Sequence, residues 1–155
     1  MGAEWNLLCP KCGTEYSVRL GLGYVFPLEY KETVNEIKAG KYGTDWQKLF
    51  GSVPGAAVNA EAEFYVCAFC GGFSNEKNLS VYSPKGKSRE AHTDQTGSKY
   101  CTLDDLKEGY RLVKSYVHKC PECGKRMHKY RPGDLLKCPH CKEKSMDIET
   151  GALWD

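Results

Sequence analysis

The sequence repeats one short cysteine motif four times, and this repeat constrains the fold more than any other feature. Each copy is Cys-x-x-Cys; three copies have Pro after the first Cys, and three have Gly after the second. Pro fixes the backbone of a tight turn, and Gly adopts the positive φ that usually follows. Such a turn directs two thiols at one point. We interpret each copy as a metal-binding knuckle, and knuckles 1 to 4 span 9–13, 67–71, 120–124 and 138–142.

The nine cysteines favour metal over disulfides. Eight of them fall in the knuckles. The N-terminus carries Glu4 and Asn6 where a signal peptide needs a basic start and an apolar stretch. No apolar run approaches the roughly 18 residues of a membrane span. We therefore expect a cytoplasmic protein without a membrane segment, in which a reducing environment keeps the thiols free for metal.

Knuckles 3 and 4 predict one four-thiolate zinc site. The 14 residues between them carry a hairpin pattern, which brings Cys120, Cys123, Cys138 and Cys141 together. Elimination then assigns the second zinc ion to knuckles 1 and 2, which 54 residues separate. The entropy of loop closure grows only with the logarithm of loop length, so this gap is no obstacle. The predicted ligands of this site are Cys9, Cys12, Cys67 and Cys70.

An interleaved pairing remains open, in which an inner knuckle shares a metal with a knuckle from the other half of the chain. A polar linker at 84–99 would permit it, whereas the local hairpin disfavours it. In either case, four thiolates leave no open position for water or substrate, and catalytic zinc normally keeps one. With no catalytic motif elsewhere, we expect a non-enzymatic protein.

Local patterns predict a small α+β protein with two zinc-ribbon-like modules, the first with a helical insertion between its knuckles. Strands are expected at 15–20, 64–66 and 79–82, and a helix at 28–39 followed by Gly40. Thr44 is expected to cap a second helix, and Thr102 with Asp105 a third over 103–113. The predicted C-terminal ribbon has strands 125–130 and 135–137, with Leu153 packing over it after a turn at Gly151. The predicted domains are 1–84, a linker or loop at 85–100, and 101–155.

The charge is uneven along the chain. Residues 107–145 hold eleven Lys or Arg against four Asp or Glu, whereas the remainder is net acidic. Part of this excess offsets the net −2 charge of each four-thiolate zinc site, but it also favours an anionic partner. The candidate nucleic-acid contacts are Lys119, Lys125, Arg126, Lys129, Arg131, Lys137 and Lys142.

The remaining cysteine and the histidines have weaker functional interpretations. Cys101 is expected to be a partly buried residue before a helix, and the alternative is a reactive thiol with His92 as its base. His118, His128 and His140 are expected around the second site or on the surface, because its thiolate set is already complete. We expect His140 to point outward from its knuckle.

At the knuckles the sequence resembles the zinc-ribbon superfamily. Cys120-Pro-Glu-Cys-Gly and Cys138-Pro-His-Cys look like the ribbons of transcription factors, RNA polymerase subunits and ribosomal proteins. The layout as a whole resembles short bacterial proteins with paired Cys-Pro-x-Cys-Gly knuckles. The motif is also similar to that of rubredoxins, although Lys142 replaces the final Gly and the pairs lie closer together. The first resemblance implies a bound metal and says little about function, and the last implies iron electron transfer.

Three functions therefore compete. The first is a zinc-scaffolded module that binds nucleic acid through the basic C-terminal ribbon. The second is a protein–protein adaptor that uses the aromatic insertion at 22–50. The third is a rubredoxin-like redox protein.

Overall fold

The chain divides into two compact units that alternate along the sequence. The computed structural model describes residues 2–86 and 92–154. Unit 1 takes the residues up to Gly23, Ala62–Glu76 and those from Val117 onward, and unit 2 takes Tyr24–Glu61 and Lys77–Tyr116. Both expected domains, 1–84 and 101–155, therefore contribute to both units. The expected linker at 85–100 falls within unit 2, except that 87–91 lie outside the described residues.

Unit 1 is built on an antiparallel sheet in which the first and last strands of the chain are neighbours. The strands are β1 Gly2–Leu8, β2 Glu15–Gly21, β4 Ala62–Val66, β5 Phe73–Lys77, β10 His128–Lys129 and β11 Asp147–Trp154. Their order in the sheet is β10-β4-β2-β1-β11, and β5 also pairs with β4. β1 and β2 form a hairpin whose loop is knuckle 1, because Leu8 is paired with Glu15.

The core of unit 1 combines apolar strand residues with two of the knuckle thiols. Leu7, Val18, Phe64 and Val66 are each at most 3% exposed. Side chains alternate across a strand, so these residues share the inner face of the sheet. Burial of each large side chain contributes about 1.5–3 kcal/mol. The same cluster contains Cys9 and Cys138, so the metal-ligand candidates are part of the folded core.

Unit 2 contains three helices among the described residues, together with short antiparallel strands. Helix α1 buries Phe26, Tyr30, Thr33 and Ile37, a spacing that places them on one face. The helices are α1 Phe26–Lys38, α2 Thr44–Ser52 and α3 Leu103–Gly109. The strands are β3 Ala57–Val58, β6 Val81–Pro84, β7 His92–Thr93, β8 Lys99–Tyr100 and β9 Tyr110–Lys114.

The predicted mixed α and β content is confirmed, but several local predictions change. The capping box of Thr102 and Asp105 is present, yet α3 ends at Gly109 because the chain turns into β9 at Tyr110. Gly43, and not Thr44, precedes the first residue of α2 as its N-cap. Among the described residues, no helix has the length and apolar character that a membrane crossing requires.

The structure differs most from the local predictions in the C-terminal ribbon. In place of strands 125–130 and 135–137, only His128–Lys129 forms a strand, and it pairs with β4. The turn between them forms, with the N–H of Asp134 donating to the carbonyl of Arg131. Gly151 continues β11 and does not make the expected turn, and Leu153 is 74% exposed.

Candidate metal centres

The eight knuckle cysteines form two clusters in unit 1. We name them the outer tetrad, which joins knuckles 1 and 4, and the inner tetrad, which joins knuckles 2 and 3. Within each cluster the four sulfur atoms lie within 4.8 Å of one another. All nine cysteines of the chain are free thiols. The outer tetrad is Cys9, Cys12, Cys138 and Cys141, and the inner tetrad is Cys67, Cys70, Cys120 and Cys123.

The sulfur spacing in both tetrads fits a tetrahedral metal ion. A Zn–S bond of about 2.3 Å places the sulfurs of a regular tetrahedron about 3.8 Å apart. In the outer tetrad the Sγ atoms of Cys9 and Cys141 are 3.7 Å apart, and those of Cys12 and Cys138 are 3.6 Å apart. In the inner tetrad the Sγ atoms of Cys67 and Cys123 are 3.5 Å apart, and so are those of Cys70 and Cys120. Each set could therefore hold a metal ion with little adjustment.

The pairing of the knuckles corrects the sequence-based assignment. The expected sites were 9/12/67/70 and 120/123/138/141, whereas the structure nests the inner knuckles within the outer ones. The reason lies in the sheet. β1 pairs with β11, which brings knuckle 1 to the segment after knuckle 4, and His128 of β10 pairs with Val66 beside knuckle 2. The expected local hairpin does not form, so it cannot join knuckles 3 and 4.

All four knuckles have the same backbone geometry. In each, the N–H of the first Cys donates to a carbonyl five residues later, and its own carbonyl accepts from the residue after the second Cys. That last residue has a positive φ of 65–76° in every knuckle. Three are Gly, and the fourth is Lys142, for which this conformation costs about 1–2 kcal/mol. The sequence-based interpretation of the four motifs as one kind of turn is therefore confirmed.

Backbone N–H groups hydrogen-bond to the knuckle sulfurs. The second Cys of each knuckle receives a hydrogen bond from the N–H two residues later. Cys9 and Cys67 also accept from N–H groups within their own knuckles. Such hydrogen bonds favour the thiolate form, which is the form that binds metal. The knuckle backbone thus offsets part of the negative charge that a four-thiolate site carries.

Side chains around the outer tetrad add further donors. The hydroxyl of Thr14 lies 3.1 Å from the sulfur of Cys12, and that of Ser145 lies 3.1 Å from Cys9. His140 also hydrogen-bonds to Cys12 from across the tetrad, so it does not point away from the site as expected. These contacts, led by the Thr14 hydroxyl, lower the pKa of the Cys12 thiol to about 5.

The inner tetrad is more enclosed and has an ion-paired border. Glu122 of knuckle 3 forms ion pairs with Lys137 at 2.6 Å and Lys142 at 3.1 Å. The hydrogen bond to Glu122 is the main cause of the raised pKa of Lys137. The charges of Cys70 and Cys120 raise this pKa further. Burial raises the pKa of Cys70 to about 12 in the metal-free thiols.

The backbone can lie close to the inner tetrad at Gly72 because this residue has no side chain. A Cβ atom at this position would lie 3.0 Å from the sulfur of Cys120 and 3.2 Å from that of Cys70. It would also lie 3.0 Å from a carboxylate oxygen of Glu122. The sequence shows the glycine after knuckle 2, but only the fold shows that a side chain there would meet two sulfurs.

Ion pairs divide the seven candidate nucleic-acid contacts. Lys129 pairs with Glu63 at 2.7 Å, and Lys137 and Lys142 share Glu122. Each of these three cations therefore has a carboxylate partner within the protein, although Lys137 and Lys142 share one carboxylate. Arg131 lies at the turn whose Asp134 carboxylate accepts its backbone N–H. Among the described residues, no carboxylate forms an ion pair with the other three, which are Lys119, Lys125 and Arg126.

Of the remaining candidate residues, His118, His128 and Cys101 belong to neither tetrad. His118 is 3% exposed, stacks on Tyr65 with ring centroids 3.9 Å apart, and contacts a carboxylate oxygen of Glu76 at 2.8 Å. His128 contacts Asp134 at 2.9 Å in the same way. The sulfur of Cys101 is buried in unit 2.

Cys101 has the surroundings of an unreactive thiol. It donates to the Tyr110 hydroxyl at 3.5 Å, and burial raises its pKa. His92, its possible base in sequence, contacts the Asp105 carboxylate at 2.9 Å and stacks on the ring of Tyr100.

Comparison of the chain with protein-family models, with curated proteins and with solved structures finds no match. The chemistry of the two tetrads is therefore the basis on which a function can be assigned.

Proposed function

We propose that this protein is a non-enzymatic zinc protein that holds one structural Zn²⁺ in each tetrad and binds nucleic acid beside the inner tetrad. The observation that carries the zinc proposal is that eight thiols form two sets of four with tetrahedral spacing. Tetrahedral four-sulfur sites select zinc or iron. Both sets are complete, so a bound ion has no position for substrate, as in structural sites.

Metal analysis of the native protein separates zinc from iron. We expect about two zinc ions per chain and a colourless solution, since Zn²⁺ has a filled d shell. A red, iron-loaded protein would replace the zinc proposal with the rubredoxin-like one.

Paired cysteine substitutions then test which knuckles share an ion. In the nested arrangement, Cys9→Ser with Cys138→Ser affects only the outer tetrad, so one zinc should remain. Cys9→Ser with Cys67→Ser affects both tetrads, so zinc content should fall toward zero. The sequential arrangement reverses these two results. Cys101→Ser is the matched control and should retain both ions.

The nucleic-acid proposal rests on a basic aromatic patch, defined as Lys119, Lys125, Arg126 and Phe69. Lys119 and Arg126 face each other in an antiparallel bridge, which places their side chains on the same side. The ammonium of Lys125 lies 4.3 Å above the ring of Phe69, which is 65% exposed at the tip of knuckle 2. These three cations have no ion-pair partner among the residues that the structure describes. Cations around an exposed ring suit a single strand, since phosphates pair with cations and bases stack on aromatics.

The patch is smaller than the seven cations expected from sequence. Lys129, Lys137 and Lys142 already have carboxylate partners, so they are expected to contribute less. Of these lysines, Lys137 instead interacts with the charges of Cys70 and Cys120, so it offsets charge at the inner tetrad.

A gel-shift titration with single-stranded oligonucleotides tests the patch. If three phosphates are contacted, the logarithm of the affinity should fall with the logarithm of salt concentration with a slope of about −2. Lys125→Gln removes one phosphate contact and should make that slope less steep by about 0.7. Phe69→Ala should weaken binding by about 1–3 kcal/mol. Lys129→Gln is the matched control and should change little. Absence of binding at low salt by zinc-loaded protein would refute the nucleic-acid proposal and leave the zinc proposal standing.

A further inference from the structure

Unit 2 contains a cavity that neither tetrad explains. Its volume is about 570 Å³, within the range of about 300–1,000 Å³ that is usual for small-molecule sites. Helix α1, the loop before β3, β8 and the start of β9 all contribute to its lining. Phe50 and Ala57, both buried, supply apolar wall. The cavity therefore has the size and the partly apolar lining of a ligand pocket.

Buried polar groups also line this cavity. The Cys101 thiol interacts with the hydroxyls of both Tyr30 and Tyr110. All three residues are at most 8% exposed. The Tyr30 oxygen accepts the backbone N–H of Val58 at 3.3 Å, and the Tyr110 oxygen accepts the thiol of Cys101.

The Tyr110 hydroxyl is available as a donor to a ligand. Its oxygen already accepts from Cys101, which leaves its O–H hydrogen to be directed elsewhere. Burial raises the pKa of Tyr110 to about 12, so the group stays protonated at neutral pH. A buried O–H donor favours a ligand with an acceptor oxygen.

Two lysines give the cavity a positive border. Lys38, in the last turn of α1, and Lys99, in β8, are exposed lining residues. Among the described residues neither ammonium forms an ion pair with a carboxylate, and the lining includes no Asp or Glu. The carboxylate of Asp105 interacts electrostatically with two of the buried lining groups, Cys101 and Tyr110. This carboxylate is held by Thr102 and His92, and these contacts limit its effect on the cavity.

We propose that this cavity is a binding site for a small organic carboxylate with an apolar body. The apolar body packs against Phe50 and Ala57, and the carboxylate accepts from the Tyr110 hydroxyl and is attracted by Lys38 and Lys99. This site is independent of the metal centres and of the basic aromatic patch.

The test uses 2-naphthoate and octanoate as probes on the full-length, zinc-loaded protein. We expect saturable binding with a dissociation constant below about 1 mM. The binding is measured from the NMR shifts of the backbone amides of Ala56, Tyr100 and Cys101. The neutral analogue 2-naphthamide has the same body without the charge and should bind at least several-fold more weakly.

Matched variants locate the charge contribution. Lys38→Gln with Lys99→Gln should weaken naphthoate binding by about tenfold, since two partly screened attractions are lost. Lys48→Gln with Lys107→Gln changes the net charge equally at exposed positions outside the lining and should leave the affinity unchanged. Tyr110→Phe keeps the ring, removes the donor, and should weaken binding several-fold.

Three results would each overturn the proposal. One is no saturable binding of either carboxylate at millimolar concentration. Another is equal affinity for 2-naphthoate and 2-naphthamide. The third is an equal loss of affinity in the lining and control lysine pairs.

Discussion

Gly72→Ala is expected to weaken metal binding at the inner tetrad while leaving the outer tetrad intact. The new Cβ would lie 3.0 Å from the Cys120 sulfur and 3.2 Å from the Cys70 sulfur. Ordinary contacts between such atoms begin near 3.5 Å, so an atom must move by about 0.3–0.5 Å. Metal–ligand distances tolerate only about 0.2 Å. The Glu122 carboxylate can rotate away, but metal-bound sulfurs cannot.

The size of the effect follows from the cost of overpacking. Inserting a methyl group into a filled site costs about 1–3 kcal/mol, which corresponds to about 5- to 150-fold weaker zinc binding. Gly72 has no positive φ, so Ala adds no backbone strain to confuse the result. Gly109→Ala is the matched control, because a Cβ there meets no atom of the described residues within 4 Å.

Competition with a chromophoric chelator measures the affinities of the two sites. Cysteine alkylation followed by mass spectrometry identifies the weakened one, since the inner-tetrad thiols should react first. Unchanged affinity at both sites, or equal weakening of both, would show that Gly72 does not approach a metal-bound tetrad as described.

Three further predictions concern the knuckles and the thiols. Gly124→Ala places a side chain at a φ of 72°, where no atom of the described part of the chain lies within 4 Å of the new Cβ. Strain alone should therefore lower the free energy of unfolding by about 1 kcal/mol in urea titrations, and an unchanged value would contradict the knuckle geometry. Zinc loading at pH 7 should release protons, and the affinity for zinc should fall as the pH is lowered, because the metal-free pKa values of Cys70 and Cys141 are about 12 and 11 and their protons must leave. Calorimetry in buffers of different ionisation enthalpy measures the proton release, and a binding heat that does not depend on the buffer would contradict this prediction. Cys101 should resist alkylation in zinc-loaded protein at neutral pH and react after unfolding, and rapid native labelling would contradict its burial and raised pKa.

Local sequence was sufficient where the interactions are local. The four knuckles are set within six residues each, so Pro, Gly and cysteine spacing determine their turns. Helix α1 begins at Phe26 and ends at Lys38, close to the helix expected at 28–39, and the Thr102–Asp105 capping box begins α3 as expected. None of these features depends on distant parts of the chain.

The pairing of the knuckles could not be obtained in the same way. Preferring the shorter loops is only a weak argument. Sequential pairing closes loops of 54 and 14 residues, whereas nested pairing closes loops of 49 and 125 residues. The logarithmic entropy difference is about 2 kcal/mol. Burial of a single large core side chain contributes as much.

The sequence by itself determined that four turns each present two thiols, and therefore that metal sites of four sulfurs are available. Only the tertiary structure decided which turns meet. Pairing of β1 with β11 and of β4 with β10 places knuckle 1 beside knuckle 4 and knuckle 2 beside knuckle 3. The physical reason is that strand pairing is non-local: its stability comes from the core that Leu7, Val18 and Phe64 fill together, and no segment of the sequence contains that core alone.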